Sequence, residues 1–158
     1  MLAFGAEFSA YALAVHVIAV VLAFGVPLAD PIMQPLVERV DRNSVPAFHQ
    51  VRKLVGRYLV NPAMLLLLIA GIVLASNEHV WKEFFVQWGI GAILVLGGIE
   101  GSFLMPRHGR LGDLAKRDLA AGGAWSDEYL ALQQRVRLGG LLYAFVVIVT
   151  IVIMATQP

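Results

Sequence analysis

One histidine, His16, stands inside a long apolar run of the sequence, FSAYALAVHVIAVVLAFGVPLA. An ionisable residue is costly to keep in a membrane, so its presence in such a run is a functional-site hypothesis. A neutral imidazole could ligate haem iron or another metal, or it could relay protons. The alternative is a neutral histidine that is hydrogen-bonded to a neighbouring helix. Both interpretations stay open, and His16 is the one cofactor-binding residue that the sequence suggests.

The case for haem would be stronger with a second ligand at the depth of His16. The other histidines do not supply one, because His49 and His108 fall in cytoplasmic segments and His79 falls in an outer loop. A bis-histidine cytochrome is therefore disfavoured, whereas a five-coordinate haem b, or His16 together with His79, stays open. The chain has no cysteine, which excludes disulfide frameworks and thiolate metal sites. No metal site is predicted.

Glu100 is the one acidic residue well inside an apolar run. It could be a proton or cation site. We favour a simpler interpretation, a salt bridge with Arg57 or Arg107 or a side chain that reaches the inner interface. Asp30, at the inner end of the first run, is interpreted as a helix-ending or interfacial residue. The sequence assigns no catalytic residue, and whether the protein is an enzyme stays open.

The elements that must position these residues are four apolar runs. The chain is 59% hydrophobic and 15% charged, with a mean hydropathy of +0.75, whereas a soluble domain carries about a quarter charged residues. Crossing about 30 Å of hydrocarbon takes about 20 helical residues. The composition predicts an all-α polytopic membrane protein, a four-helix transmembrane bundle that forms one domain over residues 1–158. The predicted spans are 8–29, 58–75, 84–105 and 138–155.

The basic residues predict how this bundle sits in the membrane. Of twelve Lys and Arg residues, only Lys82 lies outside the two loops that join spans one to two and spans three to four. The positive-inside rule places both loops in the cytoplasm and both termini outside, in a bacterial inner membrane. The bilayer is then the first partner. The net charge of +1 does not indicate a nucleic-acid surface.

The loops have their own helix signals. Ser44 is predicted to cap a helix that runs into span two, and Asn61-Pro62 is expected to kink it. Gly122-Gly123 is typical of a loop, and Ser126 predicts the start of the last helix. Between these, residues 111–121 are predicted to form a short amphipathic helix on the inner surface.

Gly97 and Gly101 form a GxxxG pair in span three. Such pairs let helix backbones approach closely. Packing within the bundle is the favoured interpretation, and a homo-oligomer or a membrane partner subunit on this face is the alternative.

Two segments resemble known membrane families. HVIAVVLAFG, from His16 to Gly25, resembles the first helix of HemJ-like protoporphyrinogen oxidases and copper-resistance-D-like proteins, and LVGRYLVNPAMLLLLIAGIVLA resembles their second helix. The closer likeness is to a family of uncharacterised bacterial four-span predicted integral membrane proteins. The resemblance implies haem binding at His16. It also implies a lysine in the third span, which this sequence lacks, and that absence argues against protoporphyrinogen oxidation.

Three functions follow in order of preference. The first is an integral membrane protein of undefined biochemical role that serves as an accessory subunit of a membrane complex. The second is a haem-b-binding membrane redox protein that uses His16. The third is a small copper or solute transporter, which would normally show more polar groups inside the membrane.

Overall fold

Four long helices make up the protein. The computed structural model describes residues 2–157, with side chains from residue 7 onward, and this part of the chain contains no β-strand. Helix α1 spans Leu2–Val40 and α2 spans Arg42–Asn77, while α3 spans Phe84–Ala120 and α4 spans Asp127–Thr156. Each is long and apolar enough to cross a membrane. The prediction of an all-α, multi-pass membrane protein with a four-helix bundle is confirmed.

The helices alternate in direction around the bundle. Helix α1 packs against α2 and α4, and α3 packs against the same two neighbours. The core between them is built from small and medium apolar side chains, which lets the helices approach closely. Large apolar side chains on the outside face lipid. Buried core residues of the apolar half are Ala19, Ala23, Leu67, Ala70, Ala92, Ile93, Leu96 and Val147.

The helices continue well past the predicted spans at one end of the bundle. We call this end, formed by residues 30–57 and 106–137, the basic end, because it carries eleven of the twelve Lys and Arg residues. The expected end of α1 near Asp30 is wrong, since α1 runs on to Val40 through three internal prolines. The expected separate helix over 111–121 is also wrong, because these residues are the last turns of α3.

Two wide π-helical turns interrupt α2 and α3. In α2 the turn is Gly56–Val60, where the Asn61 N–H donates to the Gly56 carbonyl. In α3 it is Ile99–Leu104, where the Met105 N–H donates to the Glu100 carbonyl. Each turn ends two residues before a proline, Pro62 or Pro106, which has no N–H to continue the regular pattern. The irregularity expected at Asn61-Pro62 therefore takes the form of a π turn.

The loop predictions are confirmed at the connection between α3 and α4 but only in part at the connection between α1 and α2. Ser126 accepts a hydrogen bond from the Tyr129 N–H and begins α4, as predicted. Gly122 and Gly123 have φ angles of 113° and 84°, which glycine tolerates best. Ser44 lies at the N-cap position of the α-helical segment Val45–Val55, as predicted, but its side chain makes no capping hydrogen bond. Its hydroxyl donates to Asp41, and Asp41 itself accepts from the Asn43 N–H at the start of α2.

Candidate functional site

Three charged side chains from three helices meet inside the bundle at the basic end. Arg52 of α2 donates from Nη1 and Nη2 to the two carboxylate oxygens of Glu100 in α3, at 2.8 and 3.0 Å. Its Nε donates to Asp30 of α1. The exposed fractions are 0% for Glu100, 3% for Arg52 and 9% for Asp30. We call these three residues the ion cluster.

The ion cluster corrects two sequence interpretations. Glu100 pairs with Arg52 instead of Arg57 or Arg107, and Asp30 is a buried ion-pair partner within a continuous helix. Arg52 looked like one of several loop arginines, because its segment was treated as a cytoplasmic loop. The extended α2 buries Arg52 instead, on the same helix face as His49. Helical spacing of His49, Arg52 and Gly56 was the available signal.

Gly56 makes room for the ion cluster. A Cβ atom at this position would lie 2.8 Å from Glu100 Oε1 and 3.1 Å from Arg52 Nη1. Gly56 is the first residue of the π turn in α2, and Glu100 lies in the π turn of α3. The two π turns thus lie side by side, where the Arg52–Glu100 pair requires the backbones of α2 and α3 to approach closely.

The ion cluster has more acid than base. Two carboxylates share one guanidinium, so full ionisation leaves one excess negative charge in the protein interior. An unpaired buried charge is costly, and a buried carboxyl commonly becomes protonated instead. Asp30 Oδ1 is buried and has no hydrogen-bond partner. That oxygen is the position where a proton would be held.

Further polar atoms around the ion cluster also lack partners. Among the described side chains, six buried polar atoms have no hydrogen-bond partner, and all but His16 Nδ1 belong to the half of the bundle that holds the ion cluster. Buried polar groups without a protein partner are ordinarily satisfied by internal water. The five atoms are Asp30 Oδ1, Gln34 Nε2, His49 Nε2, Tyr129 Oη and Tyr143 Oη.

Asp30 also lines a small cavity between α1, α3 and α4. The cavity offers about 10 Å³, close to the minimum needed for one water molecule. The groups that could hydrogen-bond to such a water are Asp30 and Gln34 of α1 and His108 of α3. The exposed Arg137 of α4 lies at the edge of the cavity. The lining includes Pro27, Asp30, Pro31, Gln34, His108 and Gly140.

Two histidines form a buried pair one helical turn beyond the ion cluster. His49 Nδ1 and His108 Nδ1 are 3.0 Å apart, and both side chains are almost completely buried. Burial lowers the pKa of His49 to about 4. Burial, together with the charges of His49 and Arg52, lowers the pKa of His108 to about 2. Both rings are therefore neutral near pH 7. The sequence placed each in a cytoplasmic segment but did not suggest that they meet.

Aromatic side chains close the bundle beyond the histidine pair. Tyr129 packs edge-on to His49, with 6.4 Å between the ring centroids, and stacks on Trp125 at 4.5 Å. The guanidinium of Arg42 lies 4.2 Å above the Trp125 ring, a cation–π contact. These contacts join the start of α2 to the start of α4 and hold Tyr129 against the pair.

His16 lies far from the ion cluster. It precedes Asp30 by fourteen residues in one helix, which corresponds to about 21 Å along the axis. Its ring faces α2, where a Cβ on Gly71 would be 3.4 Å from His16 Cε1. The buried Nδ1 has no hydrogen-bond partner. A metal-bound histidine ordinarily donates its other ring N–H to a partner, so this nitrogen does not by itself indicate a haem ligand. Among the described residues, no three His, Cys, Asp or Glu side chains come together as a metal-binding group.

Gly97 and Gly101 do not share one open helix face. A Cβ on Gly97 would contact Met64 of α2 at 3.7 Å, whereas nothing lies within 4 Å of the Gly101 position. The π turn over Ile99–Leu104 begins after Gly97 and includes Gly101, which shifts the regular spacing. Gly97 contributes to packing within the bundle. A partner helix on this face stays a prediction.

Comparisons of the chain with family models, curated proteins and solved structures give no match. The resemblance to HemJ-like and copper-resistance-D-like proteins therefore stays a prediction. The geometry of the ion cluster and of the groups around it is therefore the basis for a proposed function.

Proposed function

We propose that this protein is a proton-binding integral membrane protein of the bacterial inner membrane. Asp30 and Glu100 share Arg52 and hold one exchangeable proton between them. The observation that carries the proposal is the burial of two carboxylates against a single guanidinium. A proton needs only one free carboxylate oxygen, and the unpartnered Asp30 Oδ1 supplies it.

The basic residues support exchange with the cytoplasm. Eleven of twelve Lys and Arg residues belong to the end of the bundle that holds the ion cluster. By the positive-inside rule this end faces the cytoplasm, which leaves both termini outside. The cluster then lies at the inner boundary of the membrane, where protons from the cytoplasm have the shorter distance to travel.

The core above the ion cluster favours an accessory subunit over a transporter. Between the cluster and the opposite end, the buried side chains of the described residues are apolar, for example Ala23, Leu67 and Leu96, and His16 contributes one isolated buried polar atom, Nδ1. A transport route across the membrane is normally lined by polar groups. The protein thus exchanges its proton only with the cytoplasmic side of the membrane. In this role it is an accessory subunit that binds or supplies protons within a membrane complex.

Infrared spectroscopy of the purified protein in lipid nanodiscs tests the proposal. A protonated carboxyl has a C=O stretch that is separate from carboxylate bands. We expect this band near neutral pH in the wild type and its loss in Asp30→Asn. Asp127→Asn is the matched control, because Asp127 is exposed at the start of α4. A wild type without the band would mean that both carboxylates are ionised, which contradicts the proposal.

Haem binding at His16 is a second candidate function. The observation that favours it is the position of His16, an imidazole side chain among apolar residues far from the ion cluster. In that case the imidazole would hold the iron and the haem would supply one-electron redox chemistry. The test is the visible spectrum, oxidised and reduced with dithionite, of wild type and His16→Ala purified from cells supplied with haem precursor. A Soret band that the substitution removes supports it, and a flat wild-type spectrum refutes it.

A further inference from the structure

We propose that the His49–His108 pair and one water molecule form the route by which a proton reaches Asp30. This inference rests on the proposed function, because it requires Asp30 to exchange a proton. It goes further by naming the relay groups and the direction from which the proton comes. Three observations carry it: the ring-to-ring contact, the cavity that His108 and Asp30 both line, and the free polar atoms at each step.

The cavity joins His108 to Asp30. Both residues line it, together with Gln34, whose amide nitrogen is unpartnered and whose side chain is 8% exposed. His108 uses Nδ1 for His49, so Nε2 is the ring nitrogen left for the cavity. One water in this space would bond to the Asp30 carboxyl, the Gln34 amide and the His108 ring. That number of partners is typical of a buried water.

The histidine pair is suited to pass a proton without becoming charged. In a bond between two Nδ1 atoms, one ring donates and the other accepts. When His49 donates, His108 carries its proton on Nε2 and offers it to the cavity. His49 then has an unprotonated Nε2, which is buried and has no partner. That nitrogen is the position that receives the next proton.

The complete step balances as a chain of proton transfers. A proton binds to His49 Nε2 while the proton on His49 Nδ1 moves to His108 Nδ1. The proton on His108 Nε2 moves to the water, and the water gives one of its protons to Asp30 Oδ1. Asp30 becomes neutral, which removes the excess negative charge of the ion cluster. Both rings also change tautomer, so that His49 then carries its proton on Nε2 and His108 carries its proton on Nδ1. Release follows the same transfers in reverse.

Charged and titratable groups from every helix face this route. Helix α1 contributes Asp30, α2 contributes Arg52 beside His49, and α3 contributes Glu100 below His108. Helix α4 contributes Tyr129, which packs on His49, and exposed Arg137 at the cavity edge. The basic residues among them disfavour a stable imidazolium, so the relay operates through neutral rings.

The test is the rate at which the Asp30 carboxyl exchanges with deuterium in nanodiscs, followed through its infrared band after rapid mixing with D₂O. We expect His49→Phe and His108→Phe each to slow exchange on the order of 100-fold while the band amplitude is kept. The double variant is expected to be no slower than either single one. His79→Phe, in the loop between α2 and α3, is the control and should exchange at the wild-type rate.

A cavity-filling variant keeps the test independent of the histidines. Gly140 lines the cavity, and a Cβ there would only touch Pro31 at 3.6 Å. Gly140→Val is expected to displace the water and slow exchange similarly, whereas Gly25→Val, on the open side of α1, is expected to leave it unchanged. If Gly140→Val and every folded histidine variant exchange deuterium at the wild-type rate, the relay is overturned. The proposed function still stands in that case, provided that the wild type shows the carboxyl band. Absence of the band would overturn both.

Discussion

At the scale of single residues, Arg52 links three helices. Its guanidinium makes a bidentate contact with Glu100 and a further contact with Asp30, so one side chain pairs with both buried carboxylates of the ion cluster. Such a group stabilises the protein mainly by preventing two carboxylates from being left unpaired. Sequence composition cannot identify this role, because Arg52 is one of five basic residues in its segment.

Replacing Arg52 with Met is expected to lower the free energy of unfolding by about 3–5 kcal/mol, because it leaves two buried carboxylates without a cation. Unfolding in mixed detergent micelles, followed by circular dichroism, measures the change. Arg57→Met is the control on the same helix, since Arg57 is exposed. The variant that combines Arg52→Met with Asp30→Asn and Glu100→Gln should recover most of the loss. A single Arg52→Met protein as stable as the wild type would contradict this role.

Gly56→Ala is expected to cost about 1–3 kcal/mol, because the new methyl group would overlap Glu100 Oε1 in a tightly packed site. The same unfolding measurement applies. Gly91→Ala provides the comparison, since nothing lies within 4 Å of a Cβ at that helical position. There the change is expected to be neutral or stabilising. Equal effects at the two positions would show that contact with the ion cluster is not what requires Gly56.

At the scale of elements, most of the features that the sequence did not predict lie where α2 packs against α3. They are the Arg52–Glu100 pair, the His49–His108 pair and the two π turns. The four apolar runs were identified correctly, because a continuous apolar segment of sufficient length has few alternatives in a membrane. The helical extensions beyond these runs were not identified. Polar residues there are equally typical of a solvent-exposed loop and of a buried pair of polar side chains. His49 and His108 are 59 residues apart, and no local pattern states that they meet.

The histidine pair predicts how stability depends on pH. His49 titrates near 6.5 when unfolded, and burial lowers its folded pKa to about 4. The unfolded chain therefore binds more protons between these values, so stability is complete above about pH 6.5 and falls as the pH decreases towards 4. His49→Gln, which keeps a hydrogen-bonding side chain, should reduce the slope. Melting temperatures across this range measure it, and identical slopes in both proteins would contradict the prediction.

At the scale of the whole molecule, the direction of insertion is the property that most affects function. The cysteine-free chain suits a labelling experiment with single introduced cysteines. Glu78→Cys, in the α2–α3 connection, is expected to react with an impermeant maleimide in intact spheroplasts. Asn43→Cys, at the start of α2, should react only after permeabilisation. Both native side chains are exposed, so access depends on the side of the membrane. The reverse pattern would overturn the proposed exchange with the cytoplasm.

The origin of the three charges in the ion cluster has a consequence for how the protein is assembled. Asp30 and Arg52 belong to the first helical hairpin, α1 with α2, so this hairpin can enter the bilayer carrying a self-neutralised ion pair. Glu100 belongs to the second hairpin, α3 with α4, and has no cation of its own at that depth. It must enter as the neutral acid, because an isolated carboxylate is costly in hydrocarbon. Docking of the second hairpin onto Arg52 then moves this proton from Glu100 to Asp30, so the ion cluster is assembled with its exchangeable proton already bound.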